Sequence, residues 1–276
     1  MNKLIKAVWT NSISRAFGKF ASCKFPSFIQ YVINWSYVKA MKVDLSNFYP
    51  LNHYTTLNEL FTRELVFERQ MPTDLSVIVS PSDSLVSALG DFKESTAFQI
   101  KGFSYSIKEL LTENISDDKM QRVEEGSFIN FYLSPRDYHR YHAPMDMKIT
   151  KVVHVPGLLY PVNLKYLNKI DSLFVKNERV VLECYDNSGR IFFMVLVGAL
   201  NVGKMTLSFE PSIETNKDAS RLNVFEYTNI SLKKGDELGM FKMGSTVVMI
   251  FEKDFVNLES EVGKKVRFGD VVATKR

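Results

Sequence analysis

Two periodicities divide this chain. Across residues 3–22, Leu4, Val8 or Trp9, Ile13, Phe17 and Phe20 recur at three- and four-residue steps, with Asn11, Ser14, Arg15 and Lys19 mainly between them. That spacing predicts an amphipathic helix with a basic polar face. Pro26 suits the first turn of a second helix, in which Phe28, Tyr31, Val32, Trp35 and Val38 repeat the same steps, and the two together predict a helical hairpin. Thr56 and Glu59 form a capping-box pattern ahead of a third short helix through Leu65. From Ser76 onward the pattern changes to short β-rich runs at 76–79, 98–101, 128–133, 149–155, 179–185, 191–197 and 246–251, punctuated by Gly and Pro. These runs do not alternate with long helices, which disfavours a doubly wound parallel sheet and favours an antiparallel sandwich or barrel. The predicted class is α+β, an N-terminal helical hairpin followed by a β-dominated, mostly antiparallel, sandwich- or barrel-like body. The expected division is a helical region over 1–70 and a β-rich catalytic domain over 71–276.

Composition refines this in two places. A hydrophobic content of 45% in 276 residues supports a real core. The formal charge of +4 and the absence of any run of five basic residues give no footprint for nucleic acid. The distribution of charge matters more: Met1 to Val43 contains no Asp or Glu but carries Lys3, Lys6, Arg15, Lys19, Lys24, Lys39 and Lys42. Cys23 and Cys184 form neither a disulfide framework nor a clustered metal site, so no metal is expected. The longest apolar run, Ile191 to Leu200, is about half of a membrane-spanning helix and reads as a buried strand. The apolar run from Leu4 to Trp9 is interrupted by Thr10, Asn11 and Ser12, unlike a signal peptide, and the expectation is a protein inside the cell.

Three stretches could carry chemistry. His139 and His142 lie three apart within Ser-Pro-Arg-Asp-Tyr-His-Arg-Tyr-His-Ala-Pro, residues 134–144, and the bracketing prolines predict a turn or single helical turn with both imidazoles on one face. Imidazole is the side chain best suited to move protons near neutral pH, although hydrogen-bonded structural histidines fit the same pattern. Phe241-Lys-Met-Gly-Ser-Thr-Val-Val reads locally as a turn entering a strand, and lacks the Gly-x-Ser-x-Gly of a nucleophile elbow. Ser80-Pro-Ser-Asp-Ser places Asp83 after a short apolar strand, where an aspartate ordinarily caps a backbone N–H.

In this order, these stretches resemble the phosphatidylserine decarboxylase family. The resemblance spans most of the chain through Leu60-Phe-Thr-Arg-Glu-Leu, Ser80-Pro-Ser-Asp, the long histidine motif with its preceding Leu133, Val155-Pro-Gly-Leu-Leu-Tyr-Pro-Val-Asn, Asn177-Glu-Arg-Val, Val197-Gly-Ala-Leu-Asn-Val-Gly and Phe241-Lys-Met-Gly-Ser-Thr. Two positions depart from the family pattern: Met243 stands for the usual Leu, a nearly volume-neutral change, and Ser84 for the usual Gly.

The resemblance implies a self-processing precursor cut between Gly244 and Ser245, with Ser245 becoming a covalent pyruvoyl cofactor. The substrate amine then forms a Schiff base with that group, and phosphatidylserine leaves as phosphatidylethanolamine and CO2. It also implies His142 as the base for Ser245, Asp83 as its orienting partner, and His139 as an aid to decarboxylation; Arg136 or Arg140 is expected to hold the lipid phosphate, or else to be a structural ion-pair partner. The expected partners are phosphatidylserine in anionic membranes, the chain's own large and small pieces, and a second processed protomer in a homodimer, with no nucleic acid. The basic front end predicts a peripheral location on the cytoplasmic face of the membrane, with Trp9, Phe17, Phe20 and Trp35 as candidates for apolar insertion. The competing readings are a β-rich lipid-binding module that never cleaves, and a decarboxylase acting on a different serine-containing substrate.

Overall fold

The computed structural model describes the chain apart from residues 1–2, 93–97, 101–102, 163–171, 201–203, 214, 217–220 and 243–244, with backbone only at 3–11, 13, 98–100 and 103–105. Helices α1 (Lys3–Ser22) and α2 (Ser27–Met41) both lean on the short α3 (Leu57–Phe61). Thr56 Oγ1 accepts the Glu59 N–H at 3.0 Å while the Glu59 carboxylate accepts the Thr55 N–H at 2.7 Å, so the predicted cap forms. Helix α3 stops at Phe61, short of the expected Leu65, because Leu65 bridges to Phe48. Ala21, Tyr54, Leu57, Leu60 and Phe61 form the buried centre of this region.

Helix α2 is turned inside out. Gln30 and Asn34 are buried, with Asn34 Nδ2 donating to the Tyr54 carbonyl at 3.0 Å, whereas Phe28, Ile29, Tyr31, Val32 and Trp35 are exposed.

The β-rich body confirms the predicted class. Its strands are β1 (Val77–Val79), β2 (Ser84–Asp91), β3 (Phe98–Ile100), β4 (Phe103–Tyr105), β5 (Ser127–Leu133), β6 (Arg140–His142), β7 (Met147–Val155), β8 (Arg179–Asp186), β9 (Ile191–Gly198), β10 (Met205–Leu207), β11 (Asn223–Leu232), β12 (Glu237–Phe241), β13 (Ser245–Phe251), β14 (Val256–Leu258), β15 (Lys265–Val266) and β16 (Val271–Lys275). Short helices α4 (Ile107–Leu111), α5 (Asp117–Val123) and α6 (Leu173–Lys176) fill the connections.

Among the described residues the largest sheet has eight antiparallel strands in the order β11-β7-β8-β9-β13-β5-β2-β15, and it remains open rather than closing into a barrel. Every residue of β9 and β13 is buried, which explains their unbroken apolar runs; edge strand β11 is partly exposed throughout and correspondingly polar. Two three-stranded sheets, β10-β12-β6 and β1-β16-β14, complete the body with the β3-β4 hairpin.

Candidate active site

Ser245 heads central strand β13, in register with Leu133 of β5 and Gly198 of β9. Its side chain is fully buried, and Oγ has no hydrogen-bond partner among the described residues. An unsatisfied buried hydroxyl costs about 1–3 kcal/mol, a cost that needs a reason. Gly244, the residue expected on the other side of the scissile bond, lies outside the described residues.

The histidine motif differs from its expected form. Residues 140–142 are strand β6, paired with β12, and not a helical turn. A three-residue step in an extended chain sends side chains to opposite sides, so the two imidazoles occupy different surroundings. The His139 ring lies 3.9 Å from that of Phe61, and its Nδ1–H donates to the Asp137 carbonyl at 2.8 Å. Nε2 is buried without a partner among the described residues. Burial foremost, and then the Arg63 guanidinium, hold its pKa down to about 3. The Phe241 N–H donates to the His139 carbonyl at 2.9 Å, so this histidine anchors the segment that leads to Ser245.

His142 stacks on Phe268, with ring centroids 3.6 Å apart. Its Nδ1 faces the Gly235 carbonyl at 2.9 Å and therefore carries the hydrogen; Nε2 is then the acceptor and takes the Tyr138 O–H at 3.1 Å. Burial is the main reason its pKa falls to about 4, opposed by the bond to Gly235. Both histidines are thus neutral at pH 7, with their lone pairs on Nε2.

Asp83, the expected partner of His142, is engaged elsewhere. Arg69 grips both of its oxygens, and the Phe268 N–H donates to Oδ1 at 2.8 Å. Asp83 and His142 thus meet on opposite parts of one residue, the backbone and the ring of Phe268, without touching each other by hydrogen bond. They also line separate clefts, of about 460 Å³ beside Asp83 and about 450 Å³ beside His142. Asp83, His142 and Ser245 do not form a hydrogen-bonded triad among the described residues.

The two arginines expected to hold phosphate have other contacts. Arg140 donates twice to Glu237, at 3.0 and 2.8 Å, and also to Glu64 and the Thr62 carbonyl. Arg136 is exposed, 3.9 Å from Asp137.

The flanking motifs gain physical reasons. In the Leu60–Leu65 stretch, Phe61 packs on His139, Thr62 and Glu64 hold Arg140, and buried Arg63 donates to the Arg136 and Asp137 carbonyls at 2.8 and 3.1 Å. This segment fastens the helical region to the histidine loop. The Asn177-Glu178-Arg179 stretch ties the end of β9 beside Ser245 to residue 160 and to α4. Asn177 Nδ2 donates to the carbonyls of Tyr160 and Gly198 at 2.9 and 2.8 Å, and Oδ1 accepts the Tyr160 N–H at 3.0 Å. Gly198 is the strand partner of Ser245 and Gly157 packs directly on the 176–178 backbone, where a Cβ would lie 2.5 Å from the Glu178 nitrogen. Glu178 pairs with buried His154 at 2.9 Å and takes the Asn216 N–H, while Arg179 donates to the Glu109 and Leu110 carbonyls at the end of α4. Asn177, Tyr138, Arg69 and Phe268 escaped the sequence reading as site residues; the first two were visible only as parts of family markers.

A family profile described as Phosphatidylserine decarboxylase matches residues 57–274. The phosphatidylserine decarboxylase proenzyme of Campylobacter jejuni is 43% identical over 264 residues, covering 94% of this chain and 97% of its own length. The protein of the same name from Helicobacter pylori is 43% identical over 266 residues, covering 95% and 96%. That of Brevibacillus brevis is 36% identical over 278 residues, covering 99% and 97%.

Proposed function

The chain belongs to the phosphatidylserine decarboxylase family, and from that premise we propose that it is the precursor of a pyruvoyl-dependent enzyme that converts phosphatidylserine to phosphatidylethanolamine and CO2. The observation that carries this reading is the Ser245 hydroxyl, fully buried and unpartnered at the head of the central strand. A pyruvoyl group formed from that residue supplies a ketone carbonyl that captures an amine and accepts the electrons left when CO2 departs, which no ordinary side chain can do. The orphan Oγ fits such a group, since no described residue holds the hydroxyl in place.

Processing follows from the chain's own atoms. Ser245 Oγ loses its proton and attacks the Gly244 carbonyl, moving the acyl group from nitrogen to oxygen. Removal of the Ser245 Cα proton expels the Gly244 carboxylate, leaving residues 1–244 and a dehydroalanine at 245. Tautomerisation and hydrolysis of that residue release ammonia. His142 is assigned as base and Asp83 as its orienting partner. His142 is neutral and presents a lone pair on Nε2, which suits the role. For it to act on Ser245, Nε2 must exchange the Tyr138 hydroxyl for that of Ser245, and Asp83 must exchange Arg69 for the His142 Nδ1–H. His139 is assigned to proton handling during decarboxylation; its Nε2 is buried and unpartnered.

The helical region over 1–70 is assigned as a peripheral membrane anchor on the cytoplasmic face, distinct from the catalytic 71–276. Support comes from the exposed apolar face of α2 together with its acid-free basic surroundings. Among the described residues no helix is long and apolar enough to cross a membrane. Phe17 packs inward, so Phe28, Tyr31, Val32 and Trp35 replace it as insertion candidates. The functional assembly is assigned as a homodimer of processed protomers.

Intact mass tests the central claim. The wild-type chain is expected as two pieces, the smaller beginning with a blocked 245, and Ser245→Ala as one uncut chain that releases no CO2. An active Ser245→Ala protein would overturn the assignment.

A further inference from the structure

A cavity of about 380 Å³ lies between helix α1 and the body of the protein, and its lining includes Arg15, Lys19, Lys204, Lys242, Asn58 and Asn216. No carboxylate is among its described lining residues. Arg15 and Lys19 are four residues apart on one helix face, and Gly18 and Ala21 leave the helix side of the cavity without bulk. The opposite side brings two lysines together: the Lys242 N–H donates to the Lys204 carbonyl at 2.7 Å. Burial, and then the neighbouring Lys204, depress the Lys242 pKa.

The location suits one particular anion. In phosphatidylserine the phosphorus is three bonds from the carbon that loses CO2, about 4 Å at ordinary bond lengths. Whatever holds the phosphate must therefore reach close to residue 245. Lys242 is three residues ahead of Ser245, about 10 Å of extended chain at most, and its flexible stem can cover part of that distance. The arginines of the histidine motif are placed less well, since Arg140 is held by two glutamates and Arg136 is exposed beside Asp137. Helix α1 also belongs to the region assigned to the membrane, the direction from which a lipid headgroup arrives.

We infer that this cavity binds the phosphodiester of the substrate lipid's headgroup, with Lys242 and Lys204 on the side of the reacting centre and Arg15 and Lys19 closing over it from α1. The inference rests on the proposed decarboxylation of phosphatidylserine, and its test is arranged so that the two can fail separately. The first arm uses uncut Ser245→Ala protein, which cannot turn over, and follows glycerophosphoserine by ³¹P NMR titration. Saturable binding is expected, weakened about tenfold for each cation removed in Lys204→Gln and Lys19→Gln and restored by Lys204→Arg. The absence of saturable binding, or equal affinity in the double variant, overturns the site.

The second arm uses processed enzyme and monomeric dihexanoyl-phosphatidylserine. The same substitutions are expected to raise KM about tenfold each, while O-butyl-serine, which lacks the phosphate, shows no such discrimination between variant and wild type. An equal loss on both compounds overturns the inference. So does a loss confined to binding of phosphatidylglycerol vesicles with KM unchanged, which would make these cations a general membrane anchor. If the first arm succeeds and the wild-type chain neither cuts nor releases CO2, the phosphate site stands and the enzymatic reading falls.

Discussion

Acid should unfold this protein through His139 and His142, and the size of the effect follows from their burial. Both histidines are buried and neutral, with pKa values lowered from 6.5 to about 3 and about 4. In the unfolded chain each binds a proton as pH falls through about 6.5, whereas in the folded chain neither does until pH approaches 3 or 4. The unfolded state therefore holds more protons between these limits, and stability present above pH 6.5 is lost as pH falls. Moving from pH 7 to pH 5 costs about 2 kcal/mol for each histidine and about 4 kcal/mol for the two, at 1.36 kcal/mol per pKa unit. That is a large share of the roughly 5–15 kcal/mol of a typical domain. Asp137, whose pKa is raised by burial, works in the opposite direction. The measurement is urea unfolding of Ser245→Ala chain at pH 7, 6 and 5, beside the same chain carrying His142→Asn. The parent should lose about 2 kcal/mol more than the variant over this interval. Equal losses would refute the reasoning, since they would mean His142 protonates as readily folded as unfolded.

Other expectations concern the surroundings of Ser245. Asn177→Ala removes three hydrogen bonds and strips the Gly198 carbonyl and both Tyr160 backbone groups of partners; a destabilisation of about 3 kcal/mol and slowed self-cleavage are expected by denaturation and intact mass. Tyr138→Phe frees His142 Nε2, so self-cleavage in a pulse-chase should run at least as fast as wild type, whereas severalfold slowing would assign the hydroxyl to proton transfer. Replacing Phe28 and Trp35 by Ser should weaken sedimentation with phosphatidylserine vesicles while changing stability by no more than about 0.5 kcal/mol each; undiminished sedimentation would count against insertion through α2.

The apolar strands were plain in the sequence because burial on both faces writes unbroken runs, as in Ile191–Val197 and Thr246–Phe251. Strand β11 left no such trace, since an exposed edge needs only alternation, and its Asn, Glu and Thr residues obscure even that. The order of the family motifs pointed to Ser245, Asp83, His139 and His142, but not to their hydrogen bonds. Arg69 and Asp83 are fourteen residues apart, and Phe268 is far beyond both, so the grip on Asp83 depends on a contact between remote segments. The prolines around 134–144 suggested a compact turn; pairing of 140–142 with β12, a partner nearly one hundred residues later, overrode that local preference. Likewise, the inward polar side of α2 is legible only once Tyr54 is seen to receive Asn34.

Strand β13 lies between β9 and β5 and is the member that joins the two halves of the eight-stranded sheet. A break at its head leaves every rung beyond residue 245 in place, and β15 and β16 tie the same downstream piece to β2 and β1. The two products would therefore travel as one particle through a native column and part only in denaturant. Their history would show on renaturation: an uncut chain regains its fold at a rate independent of dilution, whereas severed halves must find each other, and their recovery becomes second order in concentration.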